Sequence, residues 1–191
     1  MDKELDMLYG EISNCLKCPL GFERINAVRD SVNPFSVKVV FIGEAPGANE
    51  IKHGVPFSGE AGKKLNLYLE EASLTRDDVY ITNVVRCRPT ANSGKRNRTP
   101  GEEIPICGSW LKSELEIIKP KTVVTLGNTA LKWLCGNEYS IGDWHAQRFQ
   151  MNGFVVFPMY HPAAAIYNRN LEDLIRSEFR ELGFYLGSLK D

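Results

Sequence analysis

The chain has 191 residues, of which 43% are hydrophobic and 25% are charged, as expected for one soluble globular domain spanning residues 1–191. Its formal net charge of −1 excludes a uniformly basic domain, so any nucleic-acid binding must use a local basic patch. No apolar run approaches the roughly 20 residues that a membrane helix needs, and the acidic N-terminus lacks the apolar core of a signal peptide. We therefore expect a cytoplasmic protein that does not bind membranes.

Apolar strands alternate with amphipathic helices along the chain. Runs rich in Val, Ile and Phe predict strands, and apolar residues three or four positions apart predict helices. In chain order we expect a helix over 3–12, a strand over 37–42, a helix over 59–72, a strand over 79–85, a helix over 100–118, a strand over 122–126, a short helix ending near 135, a strand over 154–159 and a helix over 171–186. This alternation predicts a three-layer α/β/α sandwich with a central, mainly parallel four-stranded sheet.

The loop after the first strand, from Gly43 to Glu50, is the most informative single stretch. Two glycines and Pro46 bend its backbone at the carboxyl end of a strand, where open α/β sheets bind ligands. It carries two carboxylates, Glu44 and Glu50, but lacks the residue spacing of a dinucleotide-binding or phosphate-binding loop. Alone it could be a tight turn, so its function must be inferred from the side chains that meet it.

The cysteines indicate a metal or cluster site. There are five, and an odd number without a secretion signal argues against a disulfide framework. Cys15 and Cys18 form a CxxC motif, and Cys87 and Cys107 each lie in a segment flanked by turn or helix-start signals. This pattern favours a four-thiolate site over four separate core thiols, but spacing alone does not choose zinc over an iron–sulfur cluster. We interpret Cys135, at a predicted helix end, as a core thiol.

Polar and aromatic side chains follow the predicted strands at one edge of the sheet. Glu44 and Glu50 follow the first strand, Asn83 lies at the end of the second, and His161 follows the fourth, while Phe57 precedes the second helix. Because the ends of parallel strands share one edge, these residues predict a pocket for a planar, hydrogen-bonding ligand. Each residue taken singly has a structural explanation, so the prediction rests on their convergence.

The same segments closely resemble the iron–sulfur-containing, or family 4, uracil-DNA glycosylases. The resemblance covers about residues 14–182, and its matching segments are Gly43-Glu44-Ala45-Pro46-Gly47 with Glu50, Pro56-Phe57-Ser58-Gly59, Thr82-Asn83-Val84-Val85-Arg86-Cys87-Arg88-Pro89, Asn97-Arg98-Thr99-Pro100, Leu126-Gly127 and Phe157-Pro158-Met159-Tyr160-His161-Pro162-Ala163-Ala164. Many members of the family have Gly where Ala45 stands, and Ser is common where Ala163 stands. A related branch that links covalently to DNA carries an insertion after the first motif, which is absent here.

The resemblance implies an activity, a cofactor and a partner. The activity is hydrolysis of the N-glycosidic bond of uracil flipped out of DNA, which starts base excision repair. The cofactor is a [4Fe–4S] cluster, and the resemblance implies that its ligands are Cys15, Cys18, Cys87 and Cys107. The partner is uracil-containing DNA, single- or double-stranded, and we expect the protein to act as a monomer.

The resemblance also assigns roles to the predicted pocket residues. The aromatic ring of Phe57 would stack on uracil, the Asn83 amide would recognise its N3–H and O4, and Glu44 would occupy the position of a thymine methyl group. His161 and the Ala45 backbone N–H would donate hydrogen bonds to the base as it leaves.

Glu50 would stabilise positive charge on the sugar and orient water. Outside the pocket, we expect phosphate contacts from Arg86, Arg88 and the basic run containing Lys95, Arg96 and Arg98. Ile166 and Tyr167 could insert into the duplex where the base leaves.

Two other functions compete with the glycosylase. One is a binding module with a degenerate pocket, which the joint presence of Glu50, Phe57, Asn83 and His161 disfavours. The other is a zinc-stapled α/β domain of unrelated function, which a colourless protein containing zinc but no iron would favour.

Overall fold

The computed structural model describes residues 3–91 and 96–189. Its strands are β1 (Val39–Gly43), β2 (Val79–Asn83), β3 (Thr90–Ala91), β4 (Arg96–Asn97), β5 (Thr122–Leu126), β6 (Phe149–Met151) and β7 (Phe154–Met159). Five of them form one sheet in the order β2-β1-β5-β7-β6, in which only β6 is antiparallel to its neighbour, and β3 pairs with β4 separately. The mainly parallel order brings the carboxyl ends of β1, β2, β5 and β7 to one edge.

Helices cover both faces of this sheet. They are α1 (Lys3–Ser13), α2 (Pro19–Phe22), α3 (Ala48–His53), α4 (Glu60–Glu71), α5 (Glu103–Ile118), α6 (Asn128–Cys135), α7 (Ile141–Trp144), α8 (Ala164–Tyr167) and α9 (Glu172–Ser188), with 3-10 turns at Arg76–Asp78 and Arg169–Leu171. None of the helices in the described ranges is long and apolar enough to cross a membrane.

The side chains of β1 show how the three layers arise. Val40 and Ile42 pack with α1 and α5 on one face, whereas Val39 and Phe41 pack with α4 and α9 on the other. Successive strand residues point to opposite faces, and every residue of β1, β2 and β5 is buried. Such continuous apolar strands are stable only between two layers of helices. The predicted three-layer α/β/α architecture is therefore confirmed.

The fifth strand was not expected from the apolar pattern. β6 has only three residues, too few to show a period, and it pairs with β7 through a turn at Asn152 and Gly153. Both turn residues have positive φ, 51° and 88°. An Asn-Gly pair at positive φ is a strong hairpin signal, so this turn could have been read from the sequence.

Helix α3 lies in a stretch that the sequence predicts to be a loop. It ends at Gly54, whose φ of 72° is the left-handed conformation that commonly closes a helix. This short helix carries Glu50 in its first turn and fixes that carboxylate relative to β1.

Candidate active site

A cleft of about 370 Å³ opens at the carboxyl edge of the sheet. Four of the singled-out side chains line it together: Glu50, Phe57, Asn83 and His161. They come from α3, the loop before α4, the end of β2 and the loop after β7. Distant segments of the chain therefore meet in one cavity at the position where α/β sheets bind ligands.

Gly43 allows two of these side chains to approach the end of β1. A Cβ atom at this position would lie 2.4 Å from Asn83 Oδ1 and 3.2 Å from the Phe57 ring, so a larger residue would displace both groups. Phe57 itself has a φ of 53°, which is unusual for a residue with a side chain. Such backbone conformations cluster at functional sites, where the surrounding structure holds them in place.

Asn83 is a buried residue that lines the cleft. The residue is 6% exposed, and no hydrogen bond joins its side chain to any other part of the chain that the structure describes. A buried amide normally satisfies its donors and acceptor. Because Asn83 faces the cleft, its amide is available to a bound ligand.

His161 is neutral, and one tautomer is selected. Burial lowers the pKa of the imidazole to about 4, so the ring carries no charge near neutral pH. Its Nδ1 lies 3.1 Å from the Ala163 backbone N–H and accepts that hydrogen. The ring proton is consequently on Nε2, which is a hydrogen-bond donor. The centroid of the ring lies 5.5 Å from that of Phe57, so the donor and the aromatic ring face the same space.

Glu50 is anchored by one oxygen. Its Oε1 accepts a hydrogen bond of 3.3 Å from the Gly59 backbone N–H. Its Oε2 lies near Gly47, only 2.7 Å from where a Cβ atom would stand at that position. The lack of a side chain at Gly47 therefore keeps the carboxylate accessible in the cleft.

Glu44 and Ala45 are adjacent in the sequence but differ in their position relative to the cleft. Glu44 Oε2 accepts a hydrogen bond of 2.5 Å from Thr129 Oγ1 on α6, and Glu44 is not among the residues that line the cleft. Ala45 does line it. The structure thus brings Ala45, but not the Glu44 carboxylate, together with the other pocket residues.

Arg86 contradicts the sequence-based expectation of a DNA contact. Its side chain is 3% exposed and lies in the core, where Nη2 forms an ion pair of 2.5 Å with Glu114 Oε2. Glu114 is fully buried at 0% exposure. Arg86 cannot reach a phosphate without unpairing a buried carboxylate, so this prediction is wrong.

Of the other expected DNA contacts, only Ile166 and Tyr167 line the cleft among the described residues. Arg88 is partly exposed and donates from Nε to Asn97 Oδ1 at 2.6 Å, and Arg96 is exposed. Arg98 is ion-paired with Glu103. Ile166 and Tyr167 line the cleft and are 44% and 89% exposed. Lys95 lies outside the described residues.

Asn97 also lines the cleft and was missed as a pocket residue. It lies within the basic run, in which we expected only the charged side chains to contact DNA. The sequence could have indicated this role, because Asn97 lies in one of the segments that match the family, Asn97-Arg98-Thr99-Pro100.

Cys87 and Cys107 are buried in one core cluster, and the partly buried Cys15, Cys18 and Cys135 pack against it. Burial raises the pKa of Cys107 to about 11, and the nearby Cys87 and Cys18 raise it further, while the Arg86 backbone N–H opposes this. Burial likewise raises the pKa of Cys87, whose electrostatic neighbours include Cys18 and Cys15. Burial raises the pKa of Cys135 to about 11, and the charge of Glu138, not that of another cysteine, raises it further.

Hydrogen-bond donors face two of these sulfurs. The Arg86 N–H lies 3.1 Å from Cys107 Sγ, and Arg24 Nη1 lies 3.9 Å from Cys87 Sγ. Such donors stabilise thiolates that carry negative charge. Among residues 3–91 and 96–189, no three Cys, His, Asp or Glu side chains are grouped as ligands of a metal ion.

Comparison with known proteins identifies the family. The uracil DNA glycosylase superfamily model matches residues 30–182. The type-4 uracil-DNA glycosylase of Sulfurisphaera tokodaii is 40% identical over 188 residues, covering 93% of this chain and 83% of that protein. The type-4 enzyme of Saccharolobus solfataricus is 39% identical over 194 residues, covering 96% and 87%. That of Thermotoga maritima is 39% identical over 176 residues, covering 88% and 86%.

The chain therefore belongs to the uracil-DNA glycosylase superfamily. Within that superfamily its place is the type-4 family, as the resemblance of its motifs implied.

Proposed function

We propose that this protein removes uracil from DNA by hydrolysing the N-glycosidic bond of a nucleotide flipped out of the base stack. The main support for this proposal is that one cleft, in a chain of the type-4 family, is lined by Glu50, Phe57, Asn83 and His161. The reaction starts base excision repair, and its product is an abasic site in the DNA.

Flipping costs a few kcal/mol, least for a single strand or a mismatched U·G pair. The Phe57 ring offsets part of this cost by stacking on the extruded base, because it presents an aromatic face in the cleft. Its fixed backbone conformation pre-organises that face before the base enters.

Asn83 selects uracil over cytosine. Its amide can accept from uracil N3–H and donate to uracil O4. Cytosine presents the opposite pattern at these two positions, which would leave buried polar groups unpaired. The absence of another partner for this amide among the described residues supports this role.

His161 stabilises the leaving base. Cleavage places negative charge on uracil, and the neutral imidazole can donate its Nε2–H to uracil O2 without a proton transfer. Ala45 also lines the cleft, and its backbone N–H would be a second donor to the base. A donor aimed at developing charge typically contributes about 3–4 kcal/mol to catalysis.

Glu50 acts on the sugar side. Its carboxylate stabilises the positive charge that develops on the sugar and orients the attacking water, so no covalent nucleophile is needed. The Gly59 N–H holds one oxygen and leaves the other to face the cleft. The Glu44 carboxylate bonds Thr129 and does not line the cleft, so it would have to turn towards the base to exclude thymine.

The DNA backbone follows the rim of the cleft. Arg88, Arg96 and Arg98 contact phosphates, and Lys95 belongs to the same basic run. The exposed Ile166 and Tyr167 enter the space that the flipped base vacates. DNA of either strandedness can reach these groups, and a monomer suffices because one chain supplies the whole cleft.

Cys15, Cys18, Cys87 and Cys107 fit a [4Fe–4S] cluster. The buried Cys87 and Cys107 and the partly buried Cys15 and Cys18 pack in one region, with hydrogen-bond donors facing two of the sulfurs, which supports this ligand set. The cluster would supply structural cross-linking of the N-terminal segment to the segment over 87–107, since base excision transfers no electrons. Cys107→Ser should therefore lose iron and visible absorbance, whereas Cys135→Ser should retain both. Equal iron content in the two variants would contradict this ligand set.

The test of the proposed function uses an oligonucleotide with one uracil. Incubation with the protein followed by alkali should break the strand at that position, and a thymine-containing control should stay intact. An uncut uracil strand would refute the proposal and favour the binding module instead.

A further inference from the structure

A buried carboxylate lies directly behind the loop that carries His161. Glu178, on α9, is 2% exposed. Its Oε2 accepts a hydrogen bond of 3.2 Å from the backbone N–H of Tyr160, the residue that precedes His161. Its Oε1 lies 2.9 Å from His145 Nδ1, and the His145 ring packs 5.0 Å from the Tyr160 ring. The proposed reaction uses none of these groups directly.

The hydrogen bond from the Tyr160 N–H to Glu178, called the tether below, completes the attachment of the chain between β7 and His161. The Pro158 carbonyl accepts from the Ala146 N–H, and the Met159 carbonyl accepts from the Gly127 N–H, each at 2.9 Å. The Tyr160 N–H is the next polar backbone group, and Glu178 is its acceptor. Without this acceptor, the last fixed point before His161 would be Met159.

Burying a carboxyl group in this way is costly unless both oxygens are engaged. Burial raises the pKa of Glu178 to about 8, against the opposing effect of the Tyr160 N–H, and the nearby Glu181 raises it further. When the carboxyl is protonated, Oε1–H donates to His145 Nδ1; when it is ionised, His145 donates from Nδ1 instead. The contact with His145 is therefore available in either charge state.

We propose that Glu178 and His145 are positioning residues for the glycosylase reaction: they hold the Tyr160–His161 peptide so that His161 Nε2–H points at the leaving base. Neither touches the substrate, and both act through Tyr160. This inference rests on the proposed function, because it assigns the pair a task only if His161 donates to the base. A misplaced donor is expensive, since an error of about 1 Å can cost about 100-fold in rate.

The main experiment is a double-mutant cycle with single-turnover rate constants on uracil-containing DNA. Glu178→Ala should lower the rate constant roughly 10- to 100-fold while leaving the Kd for DNA unchanged. In a His161→Ala background the same change should have almost no further effect. Losses that multiply in the double variant would overturn the proposal, because they would show that Glu178 acts independently of His161.

A second substrate separates positioning from general damage. 5-Fluorouracil leaves more easily as an anion than uracil, so it depends less on a donor at O2. Glu178→Ala should lose less activity on 5-fluorouracil than on uracil, whereas a loosened fold should slow both equally. Equal losses on the two substrates would contradict the positioning role.

Conservative variants and a matched control complete the test. Glu178→Gln keeps an acceptor for the Tyr160 N–H and a donor for His145 Nδ1, so it should stay within about 3-fold of the wild-type rate. Asp173→Ala removes an exposed carboxylate from the same helix, and it should change nothing in the cycle. If Glu178→Ala does not fold, His145→Ala serves in its place. It should lower the rate constant by a smaller factor, and it should have almost no further effect in the His161→Ala background.

These outcomes separate the two proposals. A wild-type protein that leaves uracil in place refutes the glycosylase itself. A wild-type protein that cleaves, together with a Glu178→Ala variant that cleaves equally well, refutes only the tether.

Discussion

Two polar clusters lie within a few residues of each other at the end of β2, and they are built differently. In the core, Glu114 accepts four hydrogen bonds, from Tyr9, Tyr80, Thr82 and Arg86. At the sheet edge, the Asn83 amide has no partner within the described ranges. In the first cluster both oxygens of the buried carboxylate are engaged internally, although Arg86 Nε has no partner among the described residues, so this cluster contributes to structure. The second leaves its hydrogen-bonding groups open to a ligand.

The difference shows why residue type alone misassigned Arg86. Arg86 and Arg88 are two positions apart in one basic segment, yet Arg86 pairs with a buried carboxylate, whereas Arg88 is partly exposed and bonds Asn97, which lines the cleft. A charge close to a nucleic-acid site supports binding only if it is exposed. The following predictions test this contrast, from the largest expected effect to the smallest.

Arg86→Ala should lower the free energy of unfolding by about 3–5 kcal/mol, because it leaves Glu114 buried and unpaired. Urea denaturation of the purified variant measures this loss. Wild-type stability combined with weakened DNA binding would instead restore Arg86 as a phosphate contact.

Glu50→Ala should reduce the single-turnover rate of uracil excision by about 100- to 1,000-fold, because the carboxylate stabilises charge that exists only during the reaction. DNA binding, measured by fluorescence anisotropy, should change by less than about 3-fold. Glu70→Ala, an exposed carboxylate on α4, is the control. Parallel losses of rate and binding would indicate a structural role for Glu50.

Asn83→Asp should relax the preference for uracil over cytosine by about 10- to 100-fold, because the lost NH₂ group removes the donor to uracil O4. Excision rates on matched uracil and cytosine oligonucleotides give the ratio. A variant that still rejects cytosine completely would show that Asn83 does not read the base.

His161 should make stability depend on pH. Its pKa is lowered to about 4 in the folded protein, so between pH 6.5 and 4 the unfolded chain binds a proton that the folded protein excludes. Stability should therefore fall as pH drops through this range, by roughly 1–3 kcal/mol more than in His161→Gln. Unfolding curves of the two proteins at several pH values give the difference, and equal pH dependence would contradict the neutral imidazole.

Arg96→Ala should weaken DNA binding only a few-fold, leave stability unchanged and reduce the slope of log Kd against log salt by about 1. Titrations at several salt concentrations measure that slope. An unchanged slope would remove Arg96 from the phosphate contacts and leave Arg88 and Arg98 as the candidates.

Local patterns predicted much of the fold. The parallel strands at Thr122–Leu126 and Phe154–Met159 lie where the apolar runs placed them, because a strand buried on both faces is predominantly apolar. Strand β6 was missed because three residues carry no period, and α3 was missed because its six residues lie between glycines.

The candidate site could be predicted from the sequence because the parallel direction of its strands could be predicted. Glu50, Phe57, Asn83 and His161 were predicted to meet because parallel strands end at one edge, and all four line the cleft. The partner of Glu44, Thr129, lies 85 positions away, and the partner of Arg86, Glu114, lies 28 positions away. Side-chain direction at a strand end depends on packing against such distant residues, which no local pattern records.

By itself, the sequence determined the alternation of strands and helices, the chemical groups present at the strand ends and the motifs of the family. Only the tertiary structure decided which of those groups face the cleft and which are neutralised inside, as with Asn83 and Arg86. The physical reason is that the function of a polar group depends on whether the fold supplies its partner, and that partner usually comes from a distant part of the chain.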